Sequence, residues 1–152
     1  MGIVKGVAAS LAAGSMLLSV PAAAGTMSQA EKLRRLDIML MVTGLRCRTT
    51  ADNFQADYGR FTTNHIGELN AASTAMKVQL AKRYGAGGAN RALDKVSVTM
   101  ANQYGQGHPW LNCGQLKMVA RNLAAAKGQA PLVEAADQLL AENGSPQVAW
   151  AR

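Results

Sequence analysis

Between Leu33 and Leu123 the apolar residues of this chain recur three or four positions apart, and no segment alternates convincingly in the manner of a β-strand. Spacings of three and four place side chains on one face of an α-helix, whereas a half-buried strand needs a spacing of two. The pattern therefore predicts an all-α fold. From the number of such segments we expect a small bundle of four to five helices.

The first helix is predicted to follow Ser28, because Ser28 and Glu31 form the S-x-x-E pattern of a capping box. One face of this helix carries Leu33, Leu36, Leu40, Gly44 and Cys47. Residues 38–45 are apolar almost all round, which predicts that this segment runs through the centre of the bundle. Gly44 would allow a neighbouring element to approach closely.

A second, long helix is predicted over about 51–84, with an apolar stripe that runs from Phe54 to Leu80. Unbroken, it would be about 50 Å long, whereas a compact domain of this size is about 35 Å across. We therefore expect one long helix that bends near 59–64, where a glycine, two threonines and an asparagine weaken the helix. A break in the same place is the alternative.

Three shorter helices are predicted to complete the bundle. The first covers about 89–104, after a glycine-rich turn at 84–88. The second covers about 109–126, because Pro109 suits the first position of a helix. The third covers 131–140 and begins with another proline.

The first 24 residues have the organisation of a secretory signal peptide. Lys5 supplies a positive charge, residues 7–20 are apolar, and Ala22-Ala23-Ala24 fits the small-residue rule for cleavage. We therefore expect a signal peptide at 1–24, a helical domain at 25–144 and a flexible tail at 145–152. The mature chain would be periplasmic or secreted, without a transmembrane segment.

The two cysteines of the chain predict a structural disulfide. Cys47 shares a helix face with Leu36 and Leu40, and Cys113 shares one with Leu116 and Leu123. Both thiols should therefore point into the core, in a compartment that permits disulfides. A C-x-x-C redox motif is absent, and a reactive pair of His108 with Cys113 is the weaker alternative.

The stretch YGQGHPWLNC, which contains Cys113, is interpreted as the start of a helix next to the disulfide. His108 directly precedes the proline and is expected to be a cap or a surface residue. Trp110 is expected to cover the bridge from the first turn of the helix.

Other catalytic and cofactor chemistry has little support in the sequence. His65 and Glu68 are three residues apart and could meet on one helix turn, either as a local hydrogen bond or as an acid–base pair. Because both cysteines are expected to form a disulfide in the core, the two histidines do not belong to a four-ligand zinc set, and C-x-x-C-H is absent. The GAGG segment at 85–88 lacks the flanking residues of a phosphate loop. We therefore predict neither a metal nor a cofactor.

The formal net charge is +7, and removal of the signal peptide leaves 15 basic and 9 acidic residues. The basic residues are scattered, without the run of five or six that is typical of a nucleic-acid-binding tail, so no nucleic-acid partner is expected. For an exported basic protein the partners would be an envelope protein, an anionic lipid or a glycan.

Three stretches resemble a small family of exported two-cysteine helical proteins of Gram-negative bacteria: LDIMLMVTGLRCRTTADNFQADYGRF, LNAAS and ANQYGQGHPWLNC. The resemblance covers residues 30–125 and implies that the cysteine of RCR pairs with that of GHPWLxC. Some members carry the label S-adenosyl-L-homocysteine hydrolase. That enzyme class is much larger and binds NAD on a Rossmann domain, whereas this chain lacks a strand–G-x-G-x-x-G–helix unit. The resemblance therefore supplies no catalytic residue.

Two functional hypotheses follow from the sequence. The first is a non-catalytic binding or chaperone-like module of the envelope, supported by the disulfide, the basic charge and the lack of a catalytic set. The second is a small hydrolase, either of the labelled kind or a lytic enzyme that uses Glu68 with His65.

Overall fold

The computed structural model describes residues 27–140, and all regular structure in that range is helical. The helices are α1 (Gln29–Cys47), α2 (Gln55–Asn64), α3 (Ile66–Tyr84), α4 (Ala86–Tyr104), α5 (Cys113–Ala125) and α6 (Ala130–Leu139). The predicted all-α fold is confirmed, with six helices in the described range where four to five were expected. The predicted signal peptide at 1–24 and tail at 145–152 lie outside the described residues.

Helix α1 is the centre of the bundle and packs against all five other helices. It begins as predicted, since the Ser28 side chain accepts a hydrogen bond from the Glu31 N–H at 3.2 Å. Gly44 allows Phe54 to pack directly on the helix, because a Cβ at Gly44 would lie 3.3 Å from the Phe54 ring. The segment 38–45 is central as expected, although two of its apolar side chains, Met41 and Leu45, are exposed.

The region predicted as one long helix over 51–84 is two helices, α2 and α3, that meet at His65. The break lies one residue beyond the predicted weak segment, and the first helix begins at Gln55 instead of 51. His65 leaves the helical conformation with φ −118° and ψ 22°. The cause is tertiary: the side chains of Asn64 and His65 both hydrogen-bond to backbone carbonyls of α5.

Helices α3 and α4 form an antiparallel hairpin with a single residue, Gly85, between them. Gly85 has φ 76° and ψ 165°, a conformation that essentially only glycine adopts. The helix predicted from about 89 therefore begins earlier, at Ala86. Gly88 brings the two helices close together, since a Cβ there would lie 2.9 Å from the Tyr84 Cβ.

The prediction that a helix starts at Pro109 is wrong, because α5 begins at Cys113. Asn112 caps the helix: its side chain accepts from the Gln115 N–H at 2.9 Å, and the Gln115 side chain accepts from the Asn112 N–H at 3.0 Å. This reciprocal capping box fixes the start of α5 four residues later than the proline suggests. Residues 107–112 instead form an irregular segment, in which His108 contacts the end of α6.

Helix α6 matches the prediction to within one residue and starts with proline in its first turn. It packs against α1, where Lys32 and Asp137 form an ion pair at 2.6 Å. Within residues 27–140 no helix combines the length and the apolar character that crossing a bilayer requires.

Candidate functional site

His65 directly precedes α3 and Glu68 lies in its first turn, but His65 is a buried structural residue, with 1% of its surface exposed. Its Nε2 lies 2.8 Å from the Leu123 carbonyl oxygen and donates a hydrogen bond to it. The other ring nitrogen, Nδ1, lies 3.8 Å from the nearer Glu68 carboxylate oxygen, beyond hydrogen-bond distance. The expected local hydrogen bond is therefore absent, and a substrate would have no access to the ring.

The His65 ring adds a hydrogen bond to the carbonyl of Leu123 in the last turn of α5, which also accepts from the Ala126 N–H at 3.2 Å. The last four carbonyls of a helix have no partner inside it. Asn64 donates to the Ala124 carbonyl at 2.8 Å while His65 donates to that of Leu123, so adjacent side chains cap the same helix end. The junction between α2 and α3 thus attaches both helices to α5.

The predicted disulfide is confirmed, since Cys47 and Cys113 are bonded to each other with a Cα–Cα distance of 5.7 Å. The bridge joins the last residue of α1 to the first residue of α5. Cys47 is 2% exposed, and Cys113 is half-buried. Neither cysteine of the chain is a free thiol, so a reactive pair of His108 with Cys113 does not form.

The prediction that His108 is a surface residue or a cap of the following helix is wrong. The ring is buried between Tyr104, at a centroid distance of 5.5 Å, and Trp110, which meets it edge-on at 4.5 Å. Its Nε2 lies 3.0 Å from the carbonyl oxygen of Leu139 at the end of α6. Burial lowers the pKa of His108 below its usual value of 6.5.

Trp110 is not in the first turn of a helix, because α5 starts three residues later. It belongs to the aromatic cluster that places His108 against α6. Both histidines of the chain therefore have the same function, namely a hydrogen bond to a carbonyl in the last turn of another helix. Their burial argues for a role in the fold.

The candidate binding site is an open groove with a volume of about 630 Å³ between α1, α3 and α4. We call it the α1–α3–α4 groove. Its floor is apolar and consists of buried or half-buried side chains: Met76, Leu80, Ala92 and Val96. Basic side chains surround this floor: Arg35, Arg83, Arg91 and Lys95. Its volume lies within the range of about 300–1,000 Å³ that is typical of ligand clefts.

The basic residues of the groove differ in how they are neutralised. Arg35 is paired with Glu31 at 2.8 Å, and this glutamate is the only carboxylate that lines the groove. None of the ion pairs among residues 27–140 involves Arg83, Arg91 or Lys95. The groove therefore presents excess positive charge next to an apolar surface.

The tip of the hairpin positions two of these cations. The Arg83 guanidinium lies 5.3 Å from the centroid of the Tyr84 ring, which orients it without neutralising it. Arg91 lies one turn inside α4, whose first turn contains no acidic residue. A helix start without acidic side chains adds positive potential to this end of the groove.

The described part of the chain, residues 27–140, contains no group of three or more His, Cys, Asp or Glu side chains arranged to hold a metal ion. Asp37 and Tyr58 form a partly buried pair, in which the Tyr58 hydroxyl donates to the Asp37 carboxylate at 2.8 Å. Burial raises the pKa of Asp37 and that of Tyr58. This pair joins α1 to α2. Among residues 27–140, no hydrogen bond connects it to a nucleophile or to another acid.

Comparison of the chain with protein-family models, with curated proteins and with solved structures finds no match in any of the three. The resemblance to exported two-cysteine proteins therefore stays a prediction. The case for function rests on the residues of this chain alone.

Sequence reasoning missed the groove as a site, although it identified the turn at 84–88 that builds one end of it. A local signal was present: Arg91 and Lys95 are four residues apart and share a helix face, beside the apolar pair Ala92 and Val96. The third wall comes from α1, more than 40 positions earlier in the chain, and spacing alone does not reveal that contact.

Proposed function

We propose that the mature chain is a non-catalytic binding module of the bacterial envelope that attaches to anionic lipid through the α1–α3–α4 groove. The observation that carries this proposal is the set of three unpaired cations, Arg83, Arg91 and Lys95, around an apolar floor. Positive side chains at an anionic lipid surface each contribute about 1 kcal/mol to binding. Apolar side chains beside them add burial in the interface.

Export supports this choice of partner. The signal-peptide pattern of Lys5, the apolar segment 7–20 and Ala22–Ala24 predicts export, and the disulfide suits an oxidising compartment. We propose a periplasmic or secreted location, where anionic lipid headgroups are abundant neighbours. N-terminal sequencing of the protein from a periplasmic fraction should begin at Gly25, and an intact Met1 in a membrane fraction would contradict this location.

A hydrolytic function for Glu68 and His65 receives no support from the geometry. A general base must reach the proton that it removes, directly or through one water. The 1% exposure of His65 and its hydrogen bond to the Leu123 carbonyl oxygen oppose such a role. The hydrolase label carried by proteins that this chain resembles adds no residue to the argument.

Vesicle binding tests the proposal with a matched pair of charge-reversal variants. R83E/R91E reverses two groove cations, whereas R46E/R48E reverses two exposed arginines of a separate basic pocket at the end of α1. Both variants change the net charge equally. We expect the wild-type protein to sediment with phosphatidylglycerol vesicles and not with phosphatidylcholine vesicles at low ionic strength.

The two variants should then differ in their affinity for phosphatidylglycerol vesicles. Loss of two surface cations should weaken binding at least about thirtyfold for R83E/R91E, whereas R46E/R48E should change it much less. Equal weakening by both variants would mean that binding follows net charge alone, and the groove would not be the site. Absence of binding to either vesicle would refute the proposed function.

A further inference from the structure

The α1–α3–α4 groove has a direction, because its two arginines without an ion-pair partner lie at one end of it. Arg83 and Arg91 lie at the tip, next to the Gly85 turn. Further along α4, the Arg35 guanidinium lies 3.4 Å from the Met100 sulfur, and its charge is already paired with that of Glu31. Nine residues of α4 separate Arg91 from Met100, or roughly 13 Å along the helix. The apolar floor lies between these two ends.

The floor is a narrow strip one side chain wide on each helix. Met76 and Leu80 are one turn apart on α3, and Ala92 and Val96 are one turn apart on α4. From Met76 to Tyr84 the strip measures roughly 12 Å. An amphipathic helix buries an apolar face more than one side chain wide, whereas this floor offers a single apolar row on each of α3 and α4. A single hydrocarbon chain fits this strip better than a helix does.

The unpaired cations define the chemistry of the other end of the ligand. An arginine guanidinium binds phosphate and carboxylate groups through two parallel hydrogen bonds. Arg83 and Arg91 approach from opposite arms of the hairpin, and Lys95 follows one turn further along α4. A head group with one or two negative charges would offset part of this triple positive charge, whereas Arg35 is already paired with Glu31 and offers no comparable site.

We infer that the groove binds one molecule of a single-chain anionic amphiphile, with its head group at Arg83 and Arg91 and its hydrocarbon chain along Leu80 and Met76. This inference rests on the proposed function and narrows it: the ligand leaves the lipid surface and sits in the protein. The head group is a phosphate or a carboxylate, as in a lysophospholipid-like phosphate or a fatty acid.

Calorimetric titration of the disulfide-bonded protein, with every probe below its critical micelle concentration, tests the inference. Dodecyl phosphate and dodecanoate distinguish the two head groups, methyl phosphate supplies a head without a chain, and dodecyltrimethylammonium supplies a chain with the opposite charge. We expect one-to-one binding of at least one anionic amphiphile. Binding of methyl phosphate as tightly as dodecyl phosphate, or of the cationic probe as tightly as the anionic ones, would overturn the inference.

A chain-length series uses the wild-type protein alone and does not depend on how a variant folds. Affinity for butyl, octyl and dodecyl phosphate should rise with each added methylene, by up to about fourfold for a methylene that is fully buried. The rise should flatten once the chain fills the strip. An affinity independent of chain length would contradict the inference, whatever the charge dependence.

Two matched variants locate the chain in the groove. Leu80→Gln puts an amide into the floor, whereas Val78→Gln changes a residue of the same helix that is 52% exposed and outside the groove. Leu80→Gln should weaken dodecyl phosphate binding by at least tenfold and Val78→Gln by less than twofold, with circular dichroism and thermal unfolding as checks on folding. Equal effects of the two variants would contradict the proposed position of the chain.

The vesicle experiment separates failure of this inference from failure of the proposed function. If R83E/R91E selectively abolishes vesicle binding but no soluble amphiphile binds, the groove adsorbs to lipid surfaces and the inference is wrong while the proposed function stands. If neither vesicles nor amphiphiles bind, both are wrong.

Discussion

Helices α1 and α3 have the same length of 19 residues, yet α1 buries eight of them and α3 only two, Ala72 and Met76. Helix α4, also of 19 residues, buries three. The shorter α6 buries four of its ten residues. The α3–α4 hairpin is therefore as helical as the rest of the bundle but contributes far less to the core.

This difference indicates a division between stability and binding. Burial of apolar surface is the main favourable contribution to folding, and α1, α5 and α6 supply most of it. The hairpin keeps its half-buried apolar residues and its unpaired cations accessible in the groove. Substitutions in α1, α5 and α6 should therefore change mainly stability, whereas substitutions in the α3–α4 hairpin should change mainly ligand binding.

Removal of the disulfide should have the largest effect on stability. The double variant C47A/C113A should lose roughly 4 kcal/mol of unfolding free energy, the value expected from chain entropy for a loop of 66 residues. Alanine is chosen because serine would also bury a hydroxyl group. Urea unfolding followed by circular dichroism measures the loss, and a value below about 1 kcal/mol would contradict a mainly structural bridge.

A pair of leucine substitutions compares the two regions directly. Leu36→Ala in α1 removes a fully buried side chain and should lower the unfolding free energy by about 2–5 kcal/mol. Leu80→Ala, at a half-buried position in the groove, should lower it by less than about half as much. Urea unfolding of both variants makes the comparison. Equal losses would show that the hairpin stabilises the fold as much as α1 does.

Within the α3–α4 hairpin, the conformation of the Gly85 turn should contribute more to stability than side-chain packing does. Gly85→Ala forces a side chain into a conformation with φ 76° and should reduce stability by about 1–3 kcal/mol. The control is Gly67→Ala in α3, where an added Cβ meets nothing within 4 Å, so the change should not destabilise the fold and should stabilise it by up to about 1 kcal/mol. Thermal unfolding checks both, and a neutral Gly85→Ala would mean that the turn tolerates a second conformation.

The smallest effect is expected from titration of His108, which belongs to the well-packed region. Burial lowers its pKa in the folded protein, so the unfolded chain binds a proton more readily. The neutral His108 ring therefore contributes stability above pH 6.5, the usual pKa. This contribution is lost as the pH falls towards the lower pKa of the folded protein. Urea midpoints between pH 7.5 and 5 should therefore fall more for the wild type than for His108→Gln. Parallel midpoint curves would contradict this prediction.

The features predictable from the sequence were those set by helical periodicity. The inward phase of Cys47 and Cys113 led to the correct disulfide, and the repeat of apolar residues led to the correct fold class. The helix start at Cys113 could also have been predicted, because Asn112 and Gln115 have the N-x-x-Q spacing of a capping box. Pro109 is the stronger local signal, and the prediction followed it.

The features that were missed depend on contacts between distant parts of the chain. The break at His65 exists because its ring and the Asn64 amide bond to α5, about 60 residues later. The groove needs α1 beside the hairpin, and the orientation of His108 needs the end of α6. Helical spacing describes which face of one helix is apolar, and it leaves open which helices meet.

The bond between Cys47 and Cys113 closes a covalent ring that contains α2, α3 and α4 in full. Any single cut of the backbone inside that ring, for example by a protease at the exposed Gly85, leaves the two fragments linked as one molecule. The hairpin tip carries the groove cations, so a nicked protein would have an altered groove on an intact scaffold. The ring thus lets the most exposed part of the molecule be damaged without separation of the helices that form its core.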